Sequence, residues 1–152
     1  MIILIDQWER EAISERTIRA LDQSAYEGNY VHGRPPLGYR LVDKKLKIVE
    51  SEAAIIRNIF DMYLFDGDSM NKILHYHGCK HRDLGFVWSY DRIRIILNNE
   101  IYTGLYSNKR IVIEEHSPQI ISKDIFEKTK VMLKYKNKME SGWATLELTP
   151  FI

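Results

Sequence analysis

The chain has 152 residues, of which 45% are hydrophobic and 28% are charged, so it can build a packed core and is not of a disordered class. It contains no apolar run long enough to span a bilayer, and its single cysteine, Cys79, excludes an intrachain disulfide and fits a reducing, cytoplasmic compartment. The formal net charge of +1 does not exclude nucleic acid, because basic and acidic segments alternate and a polyanion binds a local patch.

Residues 4–26 are predicted to form one long helix. Ile5, Trp8 and Ala12 share a stripe at helical spacing, and oppositely charged side chains are spaced along the rest of the surface. Because no N-cap residue precedes this stretch, we expect it to continue a helix that starts upstream in a longer protein. Its thin apolar stripe makes the 1–27 helix a candidate for self-association.

Residues 28–47 are predicted to form a basic arm followed by a short hairpin. Glycines and two prolines in GRPPLGYR prevent regular structure and favour an extended path. Arg34 and Arg40 lie on a segment of the shape that can follow a minor groove, where the negative potential favours arginine. A plain basic linker is the alternative interpretation, because clusters of Pro and Gly mark loops generally. The hairpin is predicted from the run LVDKKLKIV at 41–49, with its turn at residues 43–45.

Two helices are predicted in the middle of the chain. Ser51 is expected to cap the first and Ser69 the second, and the glycine at Gly67 interrupts the pattern between them. The first helix carries apolar residues at i, i+3, i+4, i+7 and i+8 spacing: Ile56, Ile59, Phe60, Tyr63 and Leu64. The second helix, expected to end at Gly78, carries four residues on its buried side: Met70, Ile73, Leu74 and His77.

The segment from Phe86 to Gly104 contains the most informative predicted helix. Ser89 stands at an N-cap position, and Asp91 falls in the first turn, where a carboxylate offsets the helix dipole. One stripe is apolar and should be buried: Ile93, Ile96 and Leu97. At about 100° per residue, four side chains collect on the opposite face: Asp91, Arg94, Ile95 and Asn98.

The side chains of this second face are of the types that a DNA-recognition helix uses. An arginine can fork onto guanine, an asparagine can fork onto adenine, and the apolar Ile95 can touch a thymine methyl group. The alternative is an ordinary surface helix with a solvated face. Trp88 is expected to pack in the core before this helix, with base stacking as the alternative.

The end of the chain is predicted to hold a hairpin and a last helix. In residues 102–116 apolar and polar side chains alternate weakly around a turn, which predicts a two-stranded hairpin of the kind that forms a wing. Lys109 and Arg110 would lie at its tip. The last helix is expected between Ser122 and Asn137, with five residues facing inward: Ile125, Phe126, Thr129, Met132 and Leu133. The predicted fold class is α+β and mostly helical, a helix-turn-helix-like domain with a small β-hairpin and a long N-terminal helix.

Histidines at alternate positions suggest a metal site that we do not expect to form. Zinc prefers imidazole and thiolate ligands, which His75, His77, Cys79 and His81 offer. On the predicted helix, however, His75 and His77 point about 200° apart. No phosphate loop, paired carboxylates or nucleophile elbow is found, so no catalytic residue and no cofactor is assigned. A histidine-based hydrolase is a remaining alternative, and it would need one pocket that holds two or more of His75, His77, His81 and His116.

Five stretches in a fixed order together resemble the large serine recombinases, the relatives of resolvases and invertases. The stretches are WEREAISERT at 8–17, GRPPLGYR at 33–40, ESEAAIIRNIFDMYL at 50–64, WSYDRIRIILNNEIYTG at 88–104 and PQIISKDIFEKTKVML at 118–133. Each stretch alone is a weak signal, and the combination covers nearly the whole chain.

The resemblance implies a division of the chain. Residues 1–27 are similar to the end of the long helix that follows the family's catalytic domain, 28–47 to a basic arm with its hairpin, and 48–136 to the recombinase DNA-binding domain. Residues 137–152 would then be a frayed tail leading to the family's zinc ribbon. The chain shows neither the family's nucleophilic serine nor its zinc cysteines, so we expect it to bind double-stranded DNA and not to cut it.

The polar face of the candidate recognition helix and the resemblance together suggest roles for individual residues. Arg94, Asn98 and Asp91 are expected to read base edges, and Arg34 to enter the minor groove. The other expected DNA-binding residues, most of them phosphate contacts, are Arg40, Lys80, Arg82, Tyr90, Arg92, Lys109 and Arg110. The expected function is recognition of part of an attachment-site half-site within a bacterial or phage-encoded site-specific recombinase. The alternative is a protein-interaction module that pairs through the 1–27 helix.

Overall fold

The computed structural model describes residues 2–85 and 87–142 of the chain. Within these ranges the chain is mostly helical, with two small antiparallel hairpins, as the sequence predicted. The elements are α1 (Ile2–Tyr26), β1 (Tyr39–Val42), β2 (Lys45–Ile48), α2 (Glu50–Leu64), α3 (Met70–Lys80), α4 (Tyr90–Asn98), β3 (Tyr106–Ser107), β4 (Val112–Ile113) and α5 (Lys123–Gly142). Short 3-10 helices stand at Arg82–Leu84 and Glu100–Thr103.

The chain forms two compact units. We call residues 1–56 and 100–120 the first unit, and residues 57–99 and 121–152 the second unit. None of the helices in the described ranges combines the length and the apolar character that a bilayer-spanning segment needs.

In the first unit, the long helix α1 is present as predicted. It ends at Tyr26, and the chain reverses at Gly28, whose φ of +81° suits glycine after a helix. The N–H of Gly28 donates to the carbonyl oxygen of Ala25 at 2.9 Å. Most of the apolar side chains of α1 are exposed, and Trp8 is 75% exposed.

The hairpin after the arm is also confirmed, and it starts earlier than expected. β1 and β2 pair from Tyr39 opposite Ile48, and the turn has two residues, Asp43 and Lys44. Both have positive φ, 51° and 63°, as a type I′ turn requires. Aspartate is one of the residues that accept this conformation, so a tight turn replaces the three-residue turn of the prediction.

The end of the arm is fixed by Gly38 and Tyr39. The N–H of Gly38 donates to a carboxylate oxygen of Glu52 at 2.9 Å. The buried Tyr39 hydroxyl donates to the carbonyl oxygen of Pro118 at 2.6 Å and lies 3.2 Å from that of Ile101. These bonds join residues far apart in sequence, so the GRPPLGYR stretch is attached to the core at its C-terminal end.

Replacing Gly38 by alanine is expected to lower the free energy of unfolding by about 2 kcal/mol. Gly38 has φ +93°, and an added Cβ would lie 3.0 Å from the Cδ1 atom of buried Ile120. Urea unfolding followed by circular dichroism measures the change. Gly33→Ala is the control, because a Cβ there meets no atom of the described residues within 4 Å and only the backbone cost at φ +65° remains. Equal losses in the two variants would contradict the close-packing argument.

The predicted cap at Ser51 is wrong, because α2 begins at Glu50 and Ser51 lies inside its first turn. Val49 precedes the helix instead. Its carbonyl oxygen accepts from the N–H of Ala53 at 2.8 Å, while its own N–H donates to the carbonyl oxygen of Gly38 at 2.9 Å. The pairing at the end of β2 therefore sets the start of the helix.

In the second unit, α4 packs against α3 and α5, and α2 contacts α5. The rings of Phe60 and Phe126 lie 6.2 Å apart in its core. The predicted caps are confirmed at Ser69, which accepts from the N–H of Lys72, and at Ser122, which accepts from that of Ile125. Four residues predicted to be buried are only half-buried: Leu64, Leu74, Ile125 and Met132.

Two helix ends in this unit differ from the prediction. α3 continues through Gly78 to Lys80, because Gly78 keeps a negative φ and the N–H of His81 still donates to the carbonyl oxygen of His77 at 2.9 Å. A single glycine lowers helix propensity without ending a helix. α5 continues to Gly142, five residues beyond the predicted end. The rest of the predicted tail, residues 143–152, lies outside the described residues.

Candidate nucleic-acid interface

The helix α4 is built as its sequence predicted. The Ser89 side chain accepts a hydrogen bond from the N–H of Arg92 at 3.2 Å and caps the helix. The apolar stripe is buried: Ile93 and Leu97 have no exposed surface, and Ile96 is 4% exposed. Because this stripe packs against the rest of the second unit, the opposite side of α4 faces solvent.

The opposite face of α4 is exposed along its whole length. Asp91, Arg94, Ile95 and Asn98 are all exposed, and Ile95 keeps 64% of its surface in solvent. The side-chain amide of Asn98 donates to the backbone carbonyl oxygen of Arg94 at 2.8 Å. Asn98 would have to release this carbonyl before it could fork onto an adenine, whereas no comparable bond ties down the Arg94 side chain among the described residues.

An open groove of about 660 Å³ lies beside this face, between α4 and α5. Among the described residues that line it there are three cationic side chains and no carboxylate. The lining residues are Met70, Arg94, Ile95, Asn98, Lys130, Leu133, Lys134 and Asn137. The groove therefore places two predicted base-reading residues opposite two lysines.

Other predicted DNA-binding residues of the second unit lie at different places on it. Tyr90 is 40% exposed and lines a smaller groove of about 220 Å³ together with Lys136. The ammonium group of Lys80 donates to the hydroxyl of Tyr76 at 2.9 Å and lies 5.1 Å from the centre of that ring. Arg82 is exposed on the 3-10 helix, and Arg92 is half-buried on α4.

The histidine pattern forms an aromatic cluster in the second unit. His77 is 1% exposed, and its ring centre lies 5.3 Å from that of His81 and 5.3 Å from that of Trp88, whose own centres are 6.5 Å apart. Neither ring nitrogen of His77 has a hydrogen-bond partner in the described part of the chain. Burial, followed by the charges of His81 and Lys80, lowers the pKa of His77 to about 4.

The remaining members of that pattern do not join the cluster. His75 is exposed elsewhere on α3, and Cys79 is exposed on the same helix, one residue beyond the end that the sequence predicted. The ranges 2–85 and 87–142 contain no group of three or more potential metal ligands. Trp88 is half-buried, and its indole N–H donates to the carbonyl oxygen of His81 at 3.3 Å, as a packing residue would.

In the first unit, contacts at both ends hold the basic arm. The N–H of Tyr30 donates to the carbonyl oxygen of Lys44 at 2.7 Å, and its hydroxyl donates to that of Arg34 at 3.3 Å. The ring of His32 stacks on Tyr106 with the centres 5.1 Å apart. These contacts and the hydrogen bond from Gly38 to Glu52 hold the arm against the first unit, while the Arg34 side chain is exposed.

Two hairpins in the first unit carry further exposed cations. Arg40 on β1 lies directly opposite Lys47 on β2, and such a like-charge pair is destabilising unless an anion lies nearby.

Lys109 and Arg110 lie at the tip of the β3–β4 hairpin, as predicted. The side-chain oxygen of Asn108 closes this tip by accepting from the N–H groups of Arg110 at 2.8 Å and Ile111 at 2.9 Å.

A family model described as Recombinase matches residues 50–136, which are more than half of the chain. The chain belongs to the Recombinase family. A protein of Bacillus subtilis (strain 168) described as "Putative DNA recombinase" is 33% identical to this chain over 109 residues. That match covers 66% of this chain and 22% of the relative, so the chain spans about a fifth of the relative's length.

Two solved structures resemble this chain. The first is a crystal structure of a large serine recombinase with DNA, with TM-score 0.67 and 26% identity over 81% of this chain and 40% of that chain. The second comes from work on the sequence requirements of the Listeria innocua prophage attP site. It has TM-score 0.65 and 23% identity over 88% of this chain and 57% of that chain, and it shows a shared fold. The predicted resemblance to large serine recombinases is confirmed.

Sequence reasoning missed two features of this chain. Lys130 and Lys134 were not among the predicted DNA-binding residues, although their spacing around Leu133 places them on the face that lines the groove. The second is the ring contact of His32 with Tyr106, which joins the arm to the β3–β4 hairpin. No local pattern predicts a contact between residues so distant in sequence.

Proposed function

We propose that this chain binds double-stranded DNA and recognises part of an attachment-site half-site for a serine site-specific recombinase. The observation that carries the proposal is the exposed face of α4, where Arg94 and Asn98 stand on a helix whose other side is fully buried. An α-helix fits the major groove, and a rigidly packed helix can present side chains to base edges. Membership of the Recombinase family supports the same class of partner.

Each residue of this face suits a different base edge. The guanidinium of Arg94 can fork onto O6 and N7 of guanine, and the Asp91 carboxylate can accept from the amino group of cytosine. Ile95 offers an apolar contact for a thymine methyl group. Asn98 can fork onto adenine once its amide releases the carbonyl oxygen of Arg94. Together they would read a short run of base pairs.

The other candidates are proposed to hold the duplex backbone. Arg34 is exposed on an arm that the first unit holds in place, which suits insertion into a minor groove. The remaining cations would contact phosphates and give affinity without sequence preference. They are Arg40, Lys80, Arg82, Arg92, Lys109 and Arg110. Tyr90 is proposed to donate its hydroxyl to a phosphate oxygen. Strand cleavage by a serine nucleophile is the proposed task of the parent recombinase.

The test is selection of bound sequences from a library of randomised duplexes by the whole 152-residue chain. The proposal expects enrichment of one motif and binding to it that is at least about a thousandfold tighter than to unrelated duplexes. Recovery of unenriched, random sequences would contradict sequence recognition, even if the chain bound DNA through its charges.

Replacing Lys109 by alanine is expected to weaken binding to every duplex alike and to flatten the salt dependence of the affinity by roughly one unit. The side chain lies at a hairpin tip that Asn108 closes, so its removal should leave the hairpin intact. Fluorescence anisotropy between about 50 and 200 mM salt measures the slope. A changed preference between sequences, or an unchanged slope, would show that Lys109 does not contact a phosphate.

A second role, pairing with another protein or with a second copy of the chain, is favoured by the exposed apolar side chains of α1. Trp8 and Ile13 are 75% and 64% exposed. Burial of such residues against a partner releases few counterions, so the affinity would depend weakly on salt. The salt titration of the preceding paragraph therefore separates this role from binding to DNA.

A further inference from the structure

The groove beside α4 has a second wall that the proposed function does not yet use. One wall presents Arg94 and Asn98, and the other presents Lys130 and Lys134 from α5. Residues 130, 133, 134 and 137 follow the i, i+3, i+4, i+7 pattern, so they form one continuous face of α5. Leu133 of this face is 4% exposed and packs in the core, which fixes the direction in which its neighbours point.

The charge of the groove points to an anion as its occupant. Three cations surround about 660 Å³ of open space, and no carboxylate lines it among the described residues. Like charges that share a groove repel one another, and an anion that enters it removes this cost. On the opposite face of α5, Lys128 lies 2.7 Å from a carboxylate oxygen of Asp124.

The spacing of the two lysines suits a sugar-phosphate strand. Residues four apart on a helix are separated by about 6 Å along its axis. Phosphates of one strand recur about every 3.4 Å along a duplex axis, so the two ammonium groups can reach two different phosphates of the same strand. Both side chains are long enough to follow the backbone while Arg94, on the facing wall, reaches the bases.

We propose that α5 is a second DNA-contacting element, in which Lys130 and Lys134 hold phosphates of the strand whose base edges α4 reads. This inference rests on the proposed function. It assigns the groove between α4 and α5 to one sugar-phosphate strand. The two helices would then contact this strand from opposite sides. The lysines supply affinity and orientation, and α4 supplies the sequence preference.

The test compares the double variant Lys130→Gln/Lys134→Gln with wild type on the selected duplex and on a scrambled duplex. The affinity for both duplexes is expected to fall on the order of tenfold at intermediate salt, and the salt slope to fall by about 1.8 units. The ratio of the two affinities should stay unchanged, because no base contact is removed. Circular dichroism checks that the variant keeps the helical content of the wild type.

Single substitutions provide a matched control on the same helix. Lys134→Gln should lower the salt slope by about 0.9 units, whereas Lys128→Gln should leave it unchanged. If both variants behave alike, the assignment of the groove is overturned, whatever motif the wild type selects. If the wild type selects no motif but Lys134→Gln still flattens the slope relative to Lys128→Gln, the proposed sequence recognition fails and α5 remains a DNA contact.

Discussion

Replacing Arg94 by alanine is expected to weaken binding to the selected duplex by about 1–3 kcal/mol, a factor of roughly 5 to 150, and to relax the sequence preference at one base pair. The side chain is exposed on the outer face of α4, so no core contact is lost. The backbone carbonyl oxygen that Asn98 binds is present in alanine as well. The free energy of unfolding should therefore remain that of the wild type.

Two further variants separate base reading from charge. Arg94→Lys keeps the positive charge but cannot form the planar fork, so it should lose the base preference while it keeps most of the salt slope. Arg92→Ala, on the same helix, should weaken all duplexes alike. Anisotropy titrations on the selected duplex and on its single-base variants measure both quantities. If Arg94→Ala weakened all duplexes equally, Arg94 would be a phosphate contact and the proposed reading face would be wrong.

Acidification is expected to destabilise the second unit through His77. The folded chain holds the pKa of this ring at about 4 because it is buried, while an unfolded chain has the ordinary value of 6.5. Well above pH 6.5 the ring is neutral in both states, so its protonation does not affect the free energy of unfolding. As the pH falls from there, only the unfolded state gains a proton, so the free energy of unfolding decreases, by about 3 kcal/mol once the pH is below 4.

His77→Leu is expected to remove this acid sensitivity. Between about pH 7.5 and about pH 5 the wild type should lose about 2 kcal/mol through this ring, and the variant should lack that contribution. The leucine also leaves no unpartnered ring nitrogen in the core. Urea unfolding at the two pH values measures the difference. His75→Leu, on the exposed side of α3, is the control and should keep the pH dependence of the wild type. An unchanged pH dependence in His77→Leu would contradict a buried, neutral His77.

Local patterns were sufficient for most helices of this chain. Ser69, Ser89 and Ser122 each accept the backbone hydrogen bond of a cap, as their positions before apolar runs predicted. Ser51 failed because a serine before an apolar run is only one way to begin a helix, and here the strand pairing at Val49 begins it. Gly78 failed because a glycine with a negative φ continues a helix when the surrounding residues favour one.

The candidate site divides in the same way. The exposed face of α4 could be predicted because α-helical geometry alone places Arg94 and Asn98 opposite the buried Ile93 and Leu97. The facing wall of the groove could not, because it requires α5 to pack beside α4, and that depends on residues more than 30 positions apart. The family resemblance indicated a class of partner without naming Lys130 or Lys134.

By itself, the sequence determined which stretches are helical, which side of each helix is apolar and to which family the chain belongs, because these depend on short-range periodicity and on motifs in order. Only the tertiary structure decided that the arm is held through Tyr30 and His32, that His77 lies buried with no hydrogen-bond partner among the described residues, and that a cationic groove adjoins α4. The physical reason is that burial and charge clustering depend on how distant segments pack, and no local pattern carries that information.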